Sequence, residues 1–136
     1  MSTHYGPTVV IPNALGSPAN GNSMAGNIIS SPTIILDMYS GSYGLSWTGT
    51  SPVGTVSVEG SDDFSVNAEG NVMNAGTWNV LTVNYLGTAV QTIPISGNTG
   101  NGLIDITATG IYAVRLIYTA GSGTGNLVVT MVAKLG

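Results

Sequence analysis

The 136-residue chain contains no cysteine. Disulfides, thiolate chemistry and cysteine-based zinc sites are therefore excluded, and the redox compartment is left open. Histidine is nearly absent too: His4 is the single one, so a Ser-His-Asp relay would depend on a base in the first few residues. Charge is as scarce. Arg115 and Lys134 are the two basic residues against six acidic ones, and charged residues make up 6% of the chain at a formal net charge of −4; ordinary soluble domains carry about 25%. Two cations cannot neutralise the several phosphates that sequence-independent nucleic-acid binding requires. An anionic membrane surface is disfavoured for the same reason. No apolar run approaches the roughly 18 residues of a membrane span, and no basic stretch precedes an apolar one in the first thirty residues, as a Sec-type signal would demand. The expectation is a protein made in the cytosol and kept there until assembly or lysis.

What is present is glycine, at 20 residues, and a hydrophobic fraction of 43%. Ser, Thr, Asn and Gly stand where charge is missing. Hydroxyls and amides keep such a surface wet, but weak net charge resists self-association poorly. That suits life in an assembly. The length points to one domain that buries roughly two-thirds of the surface of its unfolded chain.

Residues 1–26, "MSTHYGPTVVIPNALGSPANGNSMAG", hold one apolar patch, Val9, Val10 and Ile11, in a run too poor in apolar residues to pack alone. They read as an extended N-terminal arm, with Pro7 and Pro12 bracketing a short edge strand. Residues 27–136 read as the folded domain. Its candidate strands cover 33–39, 43–49, 54–60, 64–67, 78–85, 90–96, 103–109, 111–119 and 126–134. Tyr43, Leu45 and Trp47 alternate with Gly44, Ser46 and Thr48, and Val56 and Val58 alternate with Thr55, Ser57 and Glu59. Period two marks half-buried strands, and no comparable helical stripe occurs. Eight to nine short strands at such spacing predict an all-β fold, an antiparallel β-sandwich or jelly-roll-like barrel. "AGSGTGN" (120–126) is expected to close a hairpin, "SGNTGNG" (96–102) to form a longer loop, and "TSPVG" (50–54) a tight turn. No internal repeat is visible.

No catalytic motif emerges, and no P-loop or dinucleotide fingerprint; no cofactor is expected, and the chain reads as no enzyme. Glu59, Asp62 and Asp63 cluster in "SVEGSDDF", with Glu69 behind them. Oxygen ligands of this kind could hold calcium or form a carboxylate pair for glycoside hydrolysis; the plainer reading is a turn capped by its own side chains. Trp47 and Tyr43 share a face with Leu45 and are assigned to the core. Trp78, at a strand start after "NAGT", is the candidate surface aromatic on which a sugar would stack.

Arg115 stands between Val114 and Leu116 in a strand apolar on both faces, which predicts partial burial. A buried guanidinium needs an acidic or carbonyl partner. Its planar fork can bond a carboxylate and loop carbonyls together. The expected role is a structural clamp holding the acidic turn against the sheet. The partners, in order of expectation, are Asp63, Asp62 and Glu59, with Asp105 a further candidate.

The runs "YGLSWTGTSPVGTVSVEGSDDF", "GTWNVLTV" and "GIYAVRLIYTAGSGTGNLVVTMVAK" resemble a group of small bacteriophage virion proteins. The shared pattern falls on Trp47 to Thr50, Gly54, Val58, Ser61, Asp63, Arg115, Tyr118 and Thr119, and covers about residues 33 to 134. Asp63 heads the partners of Arg115 because it occupies the acidic position of that pattern. The resemblance implies a β-sandwich structural subunit of the virion, of the capsid-decoration, spike or tail-accessory type. Its partners would be other virion proteins and copies of itself as a homo-oligomer. The alternative is a β-sandwich carbohydrate-binding module for host-surface attachment.

Overall fold

Two long strands organise the molecule. The structure, a computed structural model, describes residues 8–11, 22–30, 32–34, 38–106 and 111–135; His4 lies outside them. In chain order the strands are β1 (Thr8–Ile11), β2 (Asn22–Ser23), β3 (Ile28–Ile29), β4 (Thr33–Ile34), β5 (Met38–Ser61), β6 (Ser65–Val66) and β7 (Val72–Asn74). They continue with β8 (Asn79–Val80), β9 (Val83–Tyr85), β10 (Thr88–Val90), β11 (Ile93–Ile95), β12 (Thr99–Ile106) and β13 (Ala113–Leu135). The described residues contain no helix, and every pairing is antiparallel. The fold is an all-β antiparallel sandwich.

The strands are not evenly short, however. β5 has 24 residues and β13 has 23, and they pair with each other from end to end. "AGSGTGN" closes no hairpin: residues 113–119 pair with 55–61, and 125–134 pair with 40–49. "TSPVG" faces it on β5, so both stretches form one bend in a continuous ribbon. "SGNTGNG" departs from expectation as well, since Thr99–Gly102 already pair with Leu45–Thr48 as part of β12.

Side-chain parity explains the bend. On β5 the buried residues are Tyr43, Leu45 and Trp47 before it, then Val56 and Val58 after it. On β13 they are Val114, Leu116 and Tyr118, then Leu127, Val129 and Met131. Each set switches between odd and even numbers. A regular strand would therefore turn Thr55, Ser57 and Glu59 inward and the valines out. The register shifts between Ala120 and Ser122, then between Ser122 and Thr124. The first leaves Gly121 extra on β13; the second leaves one residue extra on β5. Each bulge restores the apolar face of its own strand. The two halves of the ribbon thus face each other across a single core.

The bend needs unusual backbone. Gly123 has φ 77°, and a Cβ there would overlap the Ser51 carbonyl oxygen, so glycine is required. Ser51 itself has φ 47°, a conformation that costs a non-glycine residue about 1–3 kcal/mol. Asn98 holds it in place. Its Oδ1 accepts the Ser51 N–H at 2.8 Å, and its carbonyl accepts the Gly49 N–H at 2.7 Å. Asn98→Ala should cost about 1 kcal/mol, the net worth of an ordinary hydrogen bond; urea unfolding will show it as a lower midpoint at unchanged slope.

One half of the ribbon carries β12, β9 and β10 beyond β5, and β1 and β2 beyond β13. The other carries β8 and β11 on β5, with β3 and β4 on β13. Pro94 sits in β11, an edge strand, where a missing N–H is tolerated. Parts of the segment read as an arm lie along β13 of the same chain, as β1 and β2, and Met24 is fully buried in the core. Burial raises the Tyr43 phenol above its ordinary range, opposed in part by the side chains of Ser30 and Thr33. The Tyr118 hydroxyl is buried with no hydrogen-bond partner. Leaving a desolvated hydroxyl unpaired is costly, so Tyr118→Phe should be neutral or stabilising by up to about 1 kcal/mol, readable as an equal or higher Tm.

Candidate functional site

The polar chemistry of the described residues gathers on the outer face of the half built from 54–61 and 113–119. Alternation with buried Val58 and Leu116 turns Glu59 and Arg115 outward, and the register sets them directly opposite each other. Arg115 Nε donates to Glu59 Oε1 at 2.8 Å, and its terminal nitrogen lies 2.7 Å from the same oxygen. Both side chains are largely covered, with exposures of 24% and 19%. The cover is Trp78, whose ring centroid lies 4.3 Å from the guanidinium carbon. Trp78 donates its indole N–H to the Ala75 carbonyl at 2.9 Å, and its ring meets Phe64 at 5.7 Å and a tilt of 51°.

The chain between β5 and β8 makes an excursion containing the separate β6–β7 hairpin. Asp63 ties off its base. Oδ1 accepts the Thr77 N–H at 2.6 Å and the Ser61 hydroxyl at 2.8 Å; Oδ2 accepts the Thr77 hydroxyl at 3.0 Å. Ser61 Oγ in turn accepts the Phe64 N–H at 3.2 Å. The Thr77 amide, then the Ser61 hydroxyl, hold the Asp63 carboxyl below its ordinary value. Its folded pKa is depressed, so the tie is complete above the ordinary aspartate range, near 3.9, and is lost as pH falls through the lower folded value. Thr77 amide exchange should therefore stay protected down to about pH 5 and lose protection well below pH 4. Protection lost already at pH 6 would dismiss Asp63 as the tie.

The sequence-predicted residues thus fall into separate arrangements. The carboxylate on Arg115 is Glu59, third in the expected order, because it stands directly across the ladder. Asp63 lies two residues beyond the end of β5, where the chain has turned toward Thr77. Asp62 and Asp105 are exposed, the latter in register with Ser42 and Asn84. Among the described residues no three His, Asp or Glu side chains come together as a metal cage would need. Glu59 and Asp63 instead serve a cation–π pair and a loop base. Trp47 and Tyr43 lie in the core. Trp78 is half-buried, and the guanidinium occupies one face of its ring. Sequence reasoning missed Thr77, Phe64 and Asn98; the "NAGTW", "SVEGSDDF" and "SGNTG" stretches contain them without naming their partners.

Among the described residues, no helix is long and apolar enough to cross a membrane. No protein-family model matches the chain, and no curated protein matches it in sequence. Similarity of structure remains: over 98% of its length and 97% of the other chain, the protein superposes on the SPBc2 prophage-derived protein YomS with a TM-score of 0.62 at 9% identity, so this fold also occurs in a phage-derived protein.

Proposed function

We propose that the chain is a structural subunit of a bacteriophage virion, attached to capsid or tail through other virion proteins and copies of itself, and that it acts by contact rather than catalysis. The observation that carries this reading is the fold shared along nearly the whole chain with a prophage-derived protein. The use of Glu59, Asp63 and Arg115 in internal ties supports it, since those side chains are committed to holding structure. So does a surface of hydroxyls and amides with few charges, which suits dense packing. The glycan-binding alternative is less favoured, because Arg115 covers one face of Trp78 and the indole N–H is already engaged. Mass spectrometry of purified particles, followed by cryo-EM to locate the density, tests the proposal. The chain should appear at fixed stoichiometry; abundance in the lysate with absence from particles would overturn it.

A further inference from the structure

The half of the ribbon opposite the clamp has an outer face that no described residue covers. Register places Leu103, Gly44 and Thr130 in one row across three strands, and Asn101, Ser46 and Val128 in the next. None is charged. The nearest charge is Asp105, one row further, opposite Ser42. At one end of this face is an open depression of about 280 Å³ lined by Ser46, Trp47, Thr48, Asn126 and Val128. That is at the lower limit of the ~300–1,000 Å³ of small-molecule sites, and its open shape suits a protruding side chain.

A protrusion stands on the same sheet. Leu86 is 76% exposed and Leu103 is 51% exposed. Tyr85 pairs with Ile104, so Leu86, the next residue, starts its turn beside Leu103 on the neighbouring strand. Leu86 occupies the β9–β10 turn with φ 52°, ahead of Gly87 at φ 86°. Asn or Gly is the usual choice at such a position. A bulky apolar residue there carries both backbone strain and exposure.

We propose that this face is the self-association surface: two copies stack across a two-fold axis, the Leu86–Leu103 protrusion of each entering the depression of the other. A protrusion and a recess on one patch are what an isologous interface needs. The occupant is a second copy because an uncharged face can meet itself without bringing like charges together, although the chain carries a net −4. Area agrees. The six strands of this half, about seven residues long on average and at ~4.8 Å spacing, cover roughly 650 Å² with Asp105 at the margin, against about 800 Å² per partner in a stable interface. Gly44 and Ser46 leave room for the close approach. This inference rests on the reading of the chain as an assembling subunit and names the surface it uses.

Sedimentation equilibrium of the full chain from about 1 to 100 μM tests it. The unaltered protein should dimerise, and Leu103→Glu and Ser46→Glu should each raise the dissociation constant by about 100-fold or more. Met73→Glu, an equally exposed apolar site on β7 (67% exposed), should change nothing. Leu86→Asn discriminates further: association should weaken while Tm stays equal or rises, since Asn accepts the left-handed backbone. A monomer at about 100 μM, or a dimer indifferent to both glutamates, overturns the proposal. Particle content is read separately. A chain present in particles with an indifferent dimer overturns this face alone; a dimer broken by the glutamates in a chain absent from particles supports the face and overturns the virion reading.

Discussion

Trp47→Ala should cost about 3–5 kcal/mol, the range for emptying an aromatic site in a core. Trp47 is 6% exposed and lies in a core cluster drawn from both halves of the ribbon. Its ring packs against Gly100, directly across on β12, and occupies the space a Cβ would take there. Nothing nearby can collapse into the hole without moving a central strand pair. A loss of that size is a large share of the ~5–15 kcal/mol that stabilises a typical domain, and should lower Tm by about 10 °C or more. Trp47→Phe should be milder, under about 2 kcal/mol. Phenylalanine keeps most of the packing and removes an indole N–H that is buried without a partner. Thermal and urea unfolding of both variants decide the matter. A cost below about 1 kcal/mol for alanine would show that the ring does not support the core.

The second large effect belongs to Arg115. Arg115→Ala should destabilise by roughly 2–3 kcal/mol, between the small worth of exposed ion pairs and the 3–5 kcal/mol of fully buried ones. At 19% exposure, Glu59 would be left with little water to replace the lost cation, and Trp78 would lose the guanidinium over its ring. Arg115→Lys should recover part of the loss, since an ammonium satisfies Glu59 but does not reproduce the planar fork. Changing Arg115 and Glu59 together to apolar residues should cost less than the sum of the single changes, because neither charge is then stranded. Asp63→Asn combined with Arg115→Ala should instead be additive within about 0.5 kcal/mol, as the two groups serve different ties. Stability of Arg115→Ala within about 0.5 kcal/mol of the unaltered chain would place the clamp among ordinary surface contacts.

Much of the candidate site was legible in residue types but not in pairing. A lone arginine in an apolar strand announces a covered cation, and six acids limit its partners. Which acid it meets depends on register. Glu59 wins because β5 and β13 align it across from Arg115, a long-range fact that local spacing does not contain. Asp63 is closer to the motif that drew attention to it, yet it bonds a backbone amide fourteen residues on. That partner was hidden because any backbone N–H can accept the role.

The sequence by itself determined that this is an all-β protein, that Tyr43, Leu45 and Trp47 belong to its core, and that catalysis by thiol or paired histidines is excluded. It also held the key to the bend: the apolar residues switch from odd to even in one strand and from even to odd in the other. That switch is local, and either a hairpin or a bulged bend satisfies it. The choice between them belonged to tertiary structure. A hairpin would pair 113–119 with 126–134, whereas the observed fold pairs each with a half of β5 and closes both halves over one core. The physical reason is burial. The hairpin leaves each apolar face to find its own cover, while the bent ribbon presents the two faces to each other.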